Sequence, residues 1–308
     1  MFGQSETNVK KPISNRVAVL GCGNVEVASV YSLLSNQQIA EIVLIGDGSR
    51  ELLGKVNRLC SDFTPFSSAE VRRGTLRDLK DSRILIVATG TKQNAEESFL
   101  EMAERRVGVI RRLMHRVKRN GFNGIVIMTT TPVDLSTQAA QEVLGCEPGR
   151  VIGIGSTFPK ASSSHGSERR GGTPVAFWCS SSLSDKQFMD ACEPDCPYFE
   201  ETLAKLRSQP ERRRRSGGFE VATCVMRVCV AILSDEKAVF PVSTLLHGQY
   251  GISGINMNVP CVIGRSGVEQ IVELPASEAT RREMLDSAQF LRAIDGQIFD
   301  RPMHTPPD

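Results

Sequence analysis

No stretch of the 308-residue chain comes near the roughly 18 consecutive apolar residues that a membrane-spanning helix requires, which excludes a helical membrane protein. Charge of one sign is also missing. Lys and Arg number 37 against 35 Asp and Glu, a formal net charge of +2, so nothing draws the whole molecule towards nucleic acid or an anionic membrane. The first fifteen residues are polar and lack both the apolar centre of a signal peptide and the arginine-rich amphipathicity of a transit peptide, which leads to the expectation of a cytoplasmic protein. Nine cysteines, an odd number at irregular spacings, do not make a disulfide framework. Several, such as Cys224 and Cys229, sit in apolar stretches and read as reduced core thiols of a reducing compartment. Cys192 and Cys196 have no second pair with matching spacing, so ordinary thiols are expected there and no metal. There is no internal repeat and no strong low-complexity segment.

What is present suits an ordinary soluble protein: hydrophobic residues make up 40% and charged residues 23%. The length exceeds the usual single core, and two closely packed domains are expected. Residues 16–21, 41–45, 84–89 and 124–129 are short, rich in Val and Ile and almost continuously apolar, the pattern of strands buried on both faces. Helical patterns fall between them at 24–35, 50–60 and 97–120. In the last, Leu100, Val107, Ile110, Leu113, Met114 and Val117 share a face. This alternation predicts an α/β protein with a Rossmann-type, doubly wound parallel sheet. Beyond about residue 155 the pattern changes. A helix over 219–233, strands near 239–244, 258–263 and 271–273 and a helix over 277–299 predict a mixed α+β second lobe. Ser, Gly and Arg concentrate at 161–172 and 208–218, which read as loops.

The turn after the first strand reads Gly21-Cys22-Gly23-Asn24-Val25-Glu26. Glycines there permit a tight turn and bring backbone N–H groups close to a pyrophosphate at a helix start, so Gly21, Gly23, Asn24 and Val25 are candidate dinucleotide contacts. The third glycine of that pattern is replaced by Glu26. A carboxylate about 5 Å from a phosphate charge costs about 3 kcal/mol at an effective dielectric of 20, roughly a hundredfold in affinity. An acidic residue closing the second strand would hold the ribose hydroxyls. Gly46 occupies that place and Asp47 follows one residue later, an impaired ribose ligand because one step along a strand reverses the side chain. The same residues also suit a plain tight turn, with Glu26 favourably placed on the helix dipole.

Further segments carry a resemblance. Residues 42–45 (IVLI), 129–134 (TTTPVD), 151–153 (VIG), 240–251 (FPVSTLLHGQYG) and 259–273 (VPCVIGRSGVEQIVE) resemble the lactate/malate dehydrogenase family, and bacterial L-lactate dehydrogenases in particular. The likeness runs from residue 16 to about 293, with a divergent stretch at 162–217. It implies a dinucleotide-binding domain over 16–152 and a family C-terminal domain over 153–301, shortened and divergent at 160–217. It also implies NAD as cofactor, with Thr89, Gly90 and Thr131 beside it, and association into a homo-oligomer, dimer or tetramer. In this family a hydride passes between nicotinamide and a 2-hydroxy or 2-oxo acid. A histidine oriented by an aspartate moves the proton, and arginines hold the carboxylate and polarise the carbonyl. Imidazole titrates near neutrality and guanidinium pairs bidentately with carboxylate, so neutral replacements do not substitute.

Those residues are missing. Phe99 stands where the carbonyl-polarising arginine belongs, Pro159 and Ser162 where the orienting aspartate and the carboxylate-clamping arginine belong. Residues 177–185 (FWCSSSLSD), the place of the catalytic histidine, contain none. Thr131 replaces the substrate-facing asparagine, and the place of a substrate-lining threonine falls near Gly217. No catalytic residue is therefore assigned. His115, His165, His247 and His304 read as surface or loop histidines. Only His165 is near enough in sequence to serve a rebuilt centre, with Glu168 and Arg169 or Arg170. The run of arginines at 212–215 lacks interleaved aromatics and reads as a solvated loop, so a nucleic-acid partner is not expected.

The leading expectation is a family member without normal catalysis, a pseudoenzyme with weakened NAD binding. One alternative is an active NAD-dependent 2-hydroxy-acid dehydrogenase, of L-lactate or malate, with a rebuilt site. The other is an oligomeric scaffold that binds no nucleotide.

Overall fold

The apolar runs form strands because Val, Ile and Leu fill both faces of a covered sheet. The computed structural model describes residues 15–21, 23–34, 36–46, 54, 69–88, 99–155, 218–273 and 278–299. Its strands are β1 (Arg16–Leu20), β2 (Glu41–Ile45), β3 (Glu70–Arg73), β4 (Ile84–Val87), β5 (Ile125–Met128), β6 (Val151–Gly153), β7 (Ala238–His247), β8 (Ser253–Gly264) and β9 (Gly267–Ile271). The helices are α1 (Asn24–Leu34), α2 (Phe99–Arg119), α3 (Val133–Leu144), α4 (Gly218–Ser234) and α5 (Glu278–Phe299). The sheet order is β3-β2-β1-β4-β5-β6-β7-β8-β9. The first six strands are parallel, the doubly wound order, and the last three continue the sheet antiparallel.

Helix ends follow local chemistry. The α2 face read from the sequence is the buried one, with Val107, Ile110, Met114 and Val117 inside. Its last turn carries Arg116, Lys118 and Arg119, which complement the negative end of the helix dipole. α3 starts after the cis Thr131–Pro132 bond and stops at Gly145, which turns left-handed (φ 61°) while its N–H donates to the Gln141 carbonyl at 2.9 Å. α4 packs on α1 and turns Cys224 and Cys229 into the core, as expected of core thiols. Burial pushes the Cys229 thiol well above its usual range.

β6 adds a strand not expected from the sequence and β8 begins at Ser253, ahead of the expected 258; three further features depart from the sequence expectation. β3, an edge strand with the sequence EVRR, shows no apolar alternation to betray it; charge at the edge keeps further strands from pairing. α3 was masked by the Thr-rich turn before Pro132. The last strand lies at 267–271 and not 271–273, because Gly264 pairs with Gly267 across a tight turn that starts the strand early. Of the helix expected at 50–60, only Gly54 is described, within a helix. The segments 161–172 and 208–218, expected as loops, fall outside the described residues except for Gly218, which is the first residue of α4.

A chain of ion pairs ties the starts of the first three strands together. Glu41 binds Arg16 on one side and Arg72 Nε at 2.6 Å on the other, and Arg72 Nη2 meets Asp78 Oδ1 at 2.7 Å. Asp78 also accepts from the Thr75 N–H at 2.7 Å, closing a capping box on the short 3-10 turn Leu76–Asp81. Partial burial opposes its ionisation, but the Thr75 N–H and the Arg72 guanidinium outweigh it and hold the carboxyl below its ordinary 3.8. A depressed carboxylate stabilises the fold above its unfolded pKa and loses that contribution as pH falls towards its folded value. Asp78→Asn is expected to lose about 1 to 2 kcal/mol of unfolding free energy at pH 7. In urea titrations its deficit against the wild type should narrow steadily as pH falls from about 5 to 3.

The parallel and antiparallel parts meet at one register pair, Gly153 with Ser243. A side chain at Gly153 would stand 2.7 Å from both Ser243 Cβ and Val133 Cγ1, so only glycine lets α3, β6 and β7 close together. Gly153→Ala should therefore destabilise by about 1 to 3 kcal/mol in the same titration.

Candidate functional site

Parallel register sets where a site can lie. Leu20 pairs with Ile45 and Val87, Val87 with Met128, and Met128 with Gly153, so the strands end together at one edge. The order reverses at β1, whose neighbours are β2 and β4, and ligands of doubly wound sheets bind in the crevice beyond such a reversal.

The glycine turn is at that point. Gly21 adopts φ +114°, a conformation that L side chains rarely take, and its N–H donates to the Ile45 carbonyl at 2.9 Å, extending the pairing of β1 with β2. Gly23 is exposed, and its carbonyl accepts the first helical bond, from Val27 N–H at 3.1 Å. Asn24 is the first residue of α1 and Val25 the second, half-buried. Gly46 is exposed immediately after β2.

Glu26 is the unexpected element. It is only 4% exposed, and its carboxylate folds back over the turn. A methyl group at Gly21 would overlap its Oε1, and one at Gly23 would lie 2.8 Å from its Oε2. The room that glycine leaves beside the turn at both positions is thus taken by this side chain. The sequence showed the charge of Glu26 but not its direction. The available signal was its rank as third residue of the helix, from which glutamate reaches back to the cap.

At the far side of the edge, Thr129 N–H donates to the Val87 carbonyl and Thr131 is exposed before Pro132. Arg106 of α2 donates from Nη1 to the Thr131 carbonyl at 2.7 Å, a contact that sequence reasoning missed because nothing local marks a residue 25 positions away. Phe99 opens α2. His115 and His247 are exposed. Asp47, Thr89, Gly90, Pro159, Ser162, His165, His304, Gly217, Cys192, Cys196 and the segments 177–185 and 212–215 lie outside the described residues. Among the described residues no group of three or more His, Cys, Asp and Glu is arranged to hold a metal ion, and no helix is long and apolar enough to cross a membrane.

Residues 15–153 match the NAD-binding domain of lactate/malate dehydrogenases, and residues 211–301 match the α/β C-terminal domain of the same enzymes. An L-lactate dehydrogenase of Corynebacterium efficiens is 30% identical, the match covering 93% of this chain and 98% of that protein. The chain belongs to the lactate/malate dehydrogenase family. An L-lactate dehydrogenase of Nitratidesulfovibrio vulgaris is 28% identical over 90% of this chain and 97% of its own. Among solved structures, the minor L-lactate dehydrogenase of Enterococcus mundtii in its ligand-bound form superposes with a TM-score of 0.74 at 25% identity, covering 92% of this chain and 98% of that one. NAD is accordingly the cofactor to which this type of N-terminal domain is fitted.

Arg106→Ala should remove the tie between α2 and the end of β5 and lower unfolding free energy by about 1 kcal/mol, read by urea denaturation.

Proposed function

We propose that this family member lacks normal dehydrogenase catalysis and acts as a pseudoenzyme with weakened NAD binding, assembled as a homo-oligomer. The observation that carries the reading is chemical. At the positions that the resemblance assigns to the family's charged side chains this chain has Phe99, Pro159 and Ser162, and the segment 177–185, where the histidine belongs, contains none. Gly21, Gly23, Asn24, Val25, Asp47, Thr89, Gly90 and Thr131 are the residues that would line the cofactor. When bound, NAD would supply the hydride acceptor or donor; the residues at the positions matched to the family's proton carrier and carboxylate clamp supply neither for the second substrate.

Loss of a general acid costs about 10² to 10⁴ in rate, and each lost charge-assisted contact about 1.5 to 3 kcal/mol. The cluster acts as a unit, so the losses need not add. Mixed at high concentration with NADH and pyruvate or oxaloacetate, the purified protein is expected to oxidise NADH at less than about 10⁻⁴ of the rate of a working relative. Turnover at ordinary rates with either acid would refute the reading. Light scattering on the same sample should give the mass of a dimer or tetramer, and a monomer would remove that part of it.

A further inference from the structure

Glu26 is a carboxylate withdrawn from water, and such a group needs compensation. One source of compensation at its position is the start of α1, where the first N–H groups of a helix and its dipole present about half a positive charge. A dinucleotide's pyrophosphate would use that same feature, through the same glycine turn. One helix end cannot serve two anions at contact distance, and the Glu26 carboxylate fills the room that Gly21 and Gly23 leave beside the turn. α1 is otherwise regular: its first bond, Val27 N–H to Gly23 carbonyl, is in place.

We propose that Glu26 is a tethered substitute for the cofactor's pyrophosphate, an internal anion that completes the glycine turn and opposes dinucleotide binding by charge and by bulk. The inference rests on the pseudoenzyme reading and deepens it. Cofactor affinity is set by a side chain that lies in the phosphate position, and the fold gains a stable turn that does not depend on nucleotide. NAD enters only when Glu26 swings out, and the cost of that displacement is subtracted from its affinity.

The test is calorimetric titration of NADH into the wild type, Glu26→Ala and Glu26→Gln, with circular dichroism to verify folding. Alanine removes charge and bulk; glutamine keeps the shape, removes the charge and guards against a variant that fails only by losing its cap. Glu26→Ala should bind NADH at least about tenfold more tightly, and up to about a hundredfold, than the wild type. Glu26→Gln should fall between the two. Without ligand, Glu26→Ala should melt at a lower temperature than the wild type, because the turn has lost its anion. NADH affinities within twofold of the wild type in folded variants would overturn the proposal, as would a wild type that already binds more tightly than Glu26→Ala. Turnover of pyruvate would defeat the functional reading alone, since the comparison of affinities is made without a second substrate.

Discussion

The in-phase pairing of the parallel strands around β1 is the constraint on which the remaining architecture depends. Side chains on both faces of these strands are buried, from Val17 to Leu20, Ile42 to Ile45 and Ile84 to Val87, so a slip of one residue would exchange two packed layers at once. With the register held, Gly21, Gly46 and Thr129 must emerge along the same edge, and α1 must start where the strand order reverses. The ion-pair chain through Glu41 and Arg72 reinforces the opposite end of the same strands. The antiparallel strands are added through Gly153, where the absence of a side chain lets β7 and α3 approach.

A scaffold fixed in this way persists when its chemistry changes. Packing depends on the Val and Ile layers and on a few glycines, whereas the dehydrogenase reaction depends on side chains that contribute little to the core. Phe99 begins α2, so the helix does not depend on a charge at that position. The same holds for Glu26, which serves α1 as a well-placed acid in its first turn where the family pattern has glycine. On the proposal made for this residue, structural fitness and cofactor affinity pull in opposite directions.

The strands and helices that bury continuous apolar faces were legible in the sequence: β1, β2, β4 and β5, the long face of α2, and α4. The family was legible from the segments flanking Pro132 and from 240–273. Elements with a weaker apolar signature were not. β3 carries Arg72, engaged with Glu41, Asp78 and the Arg73 carbonyl, and α3 begins with a polar turn behind Pro132. At the candidate site the glycine turn and the substituted third glycine were legible, since both are matters of residue type. The fold-back of Glu26 and the reach of Arg106 to Thr131 were not, because they depend on side-chain direction and on contacts remote in sequence.

The occupied turn is the point at which scaffold and chemistry separate, and it can be inspected directly. Crystals of the wild-type protein grown with one equivalent of NADH should show the Glu26 carboxylate over Gly21 and Gly23 with no pyrophosphate on the turn, or displaced from the turn wherever a pyrophosphate is seated. A pyrophosphate seated between those glycines with Glu26 still in place beside it would contradict the claim that this carboxylate holds the cofactor's place.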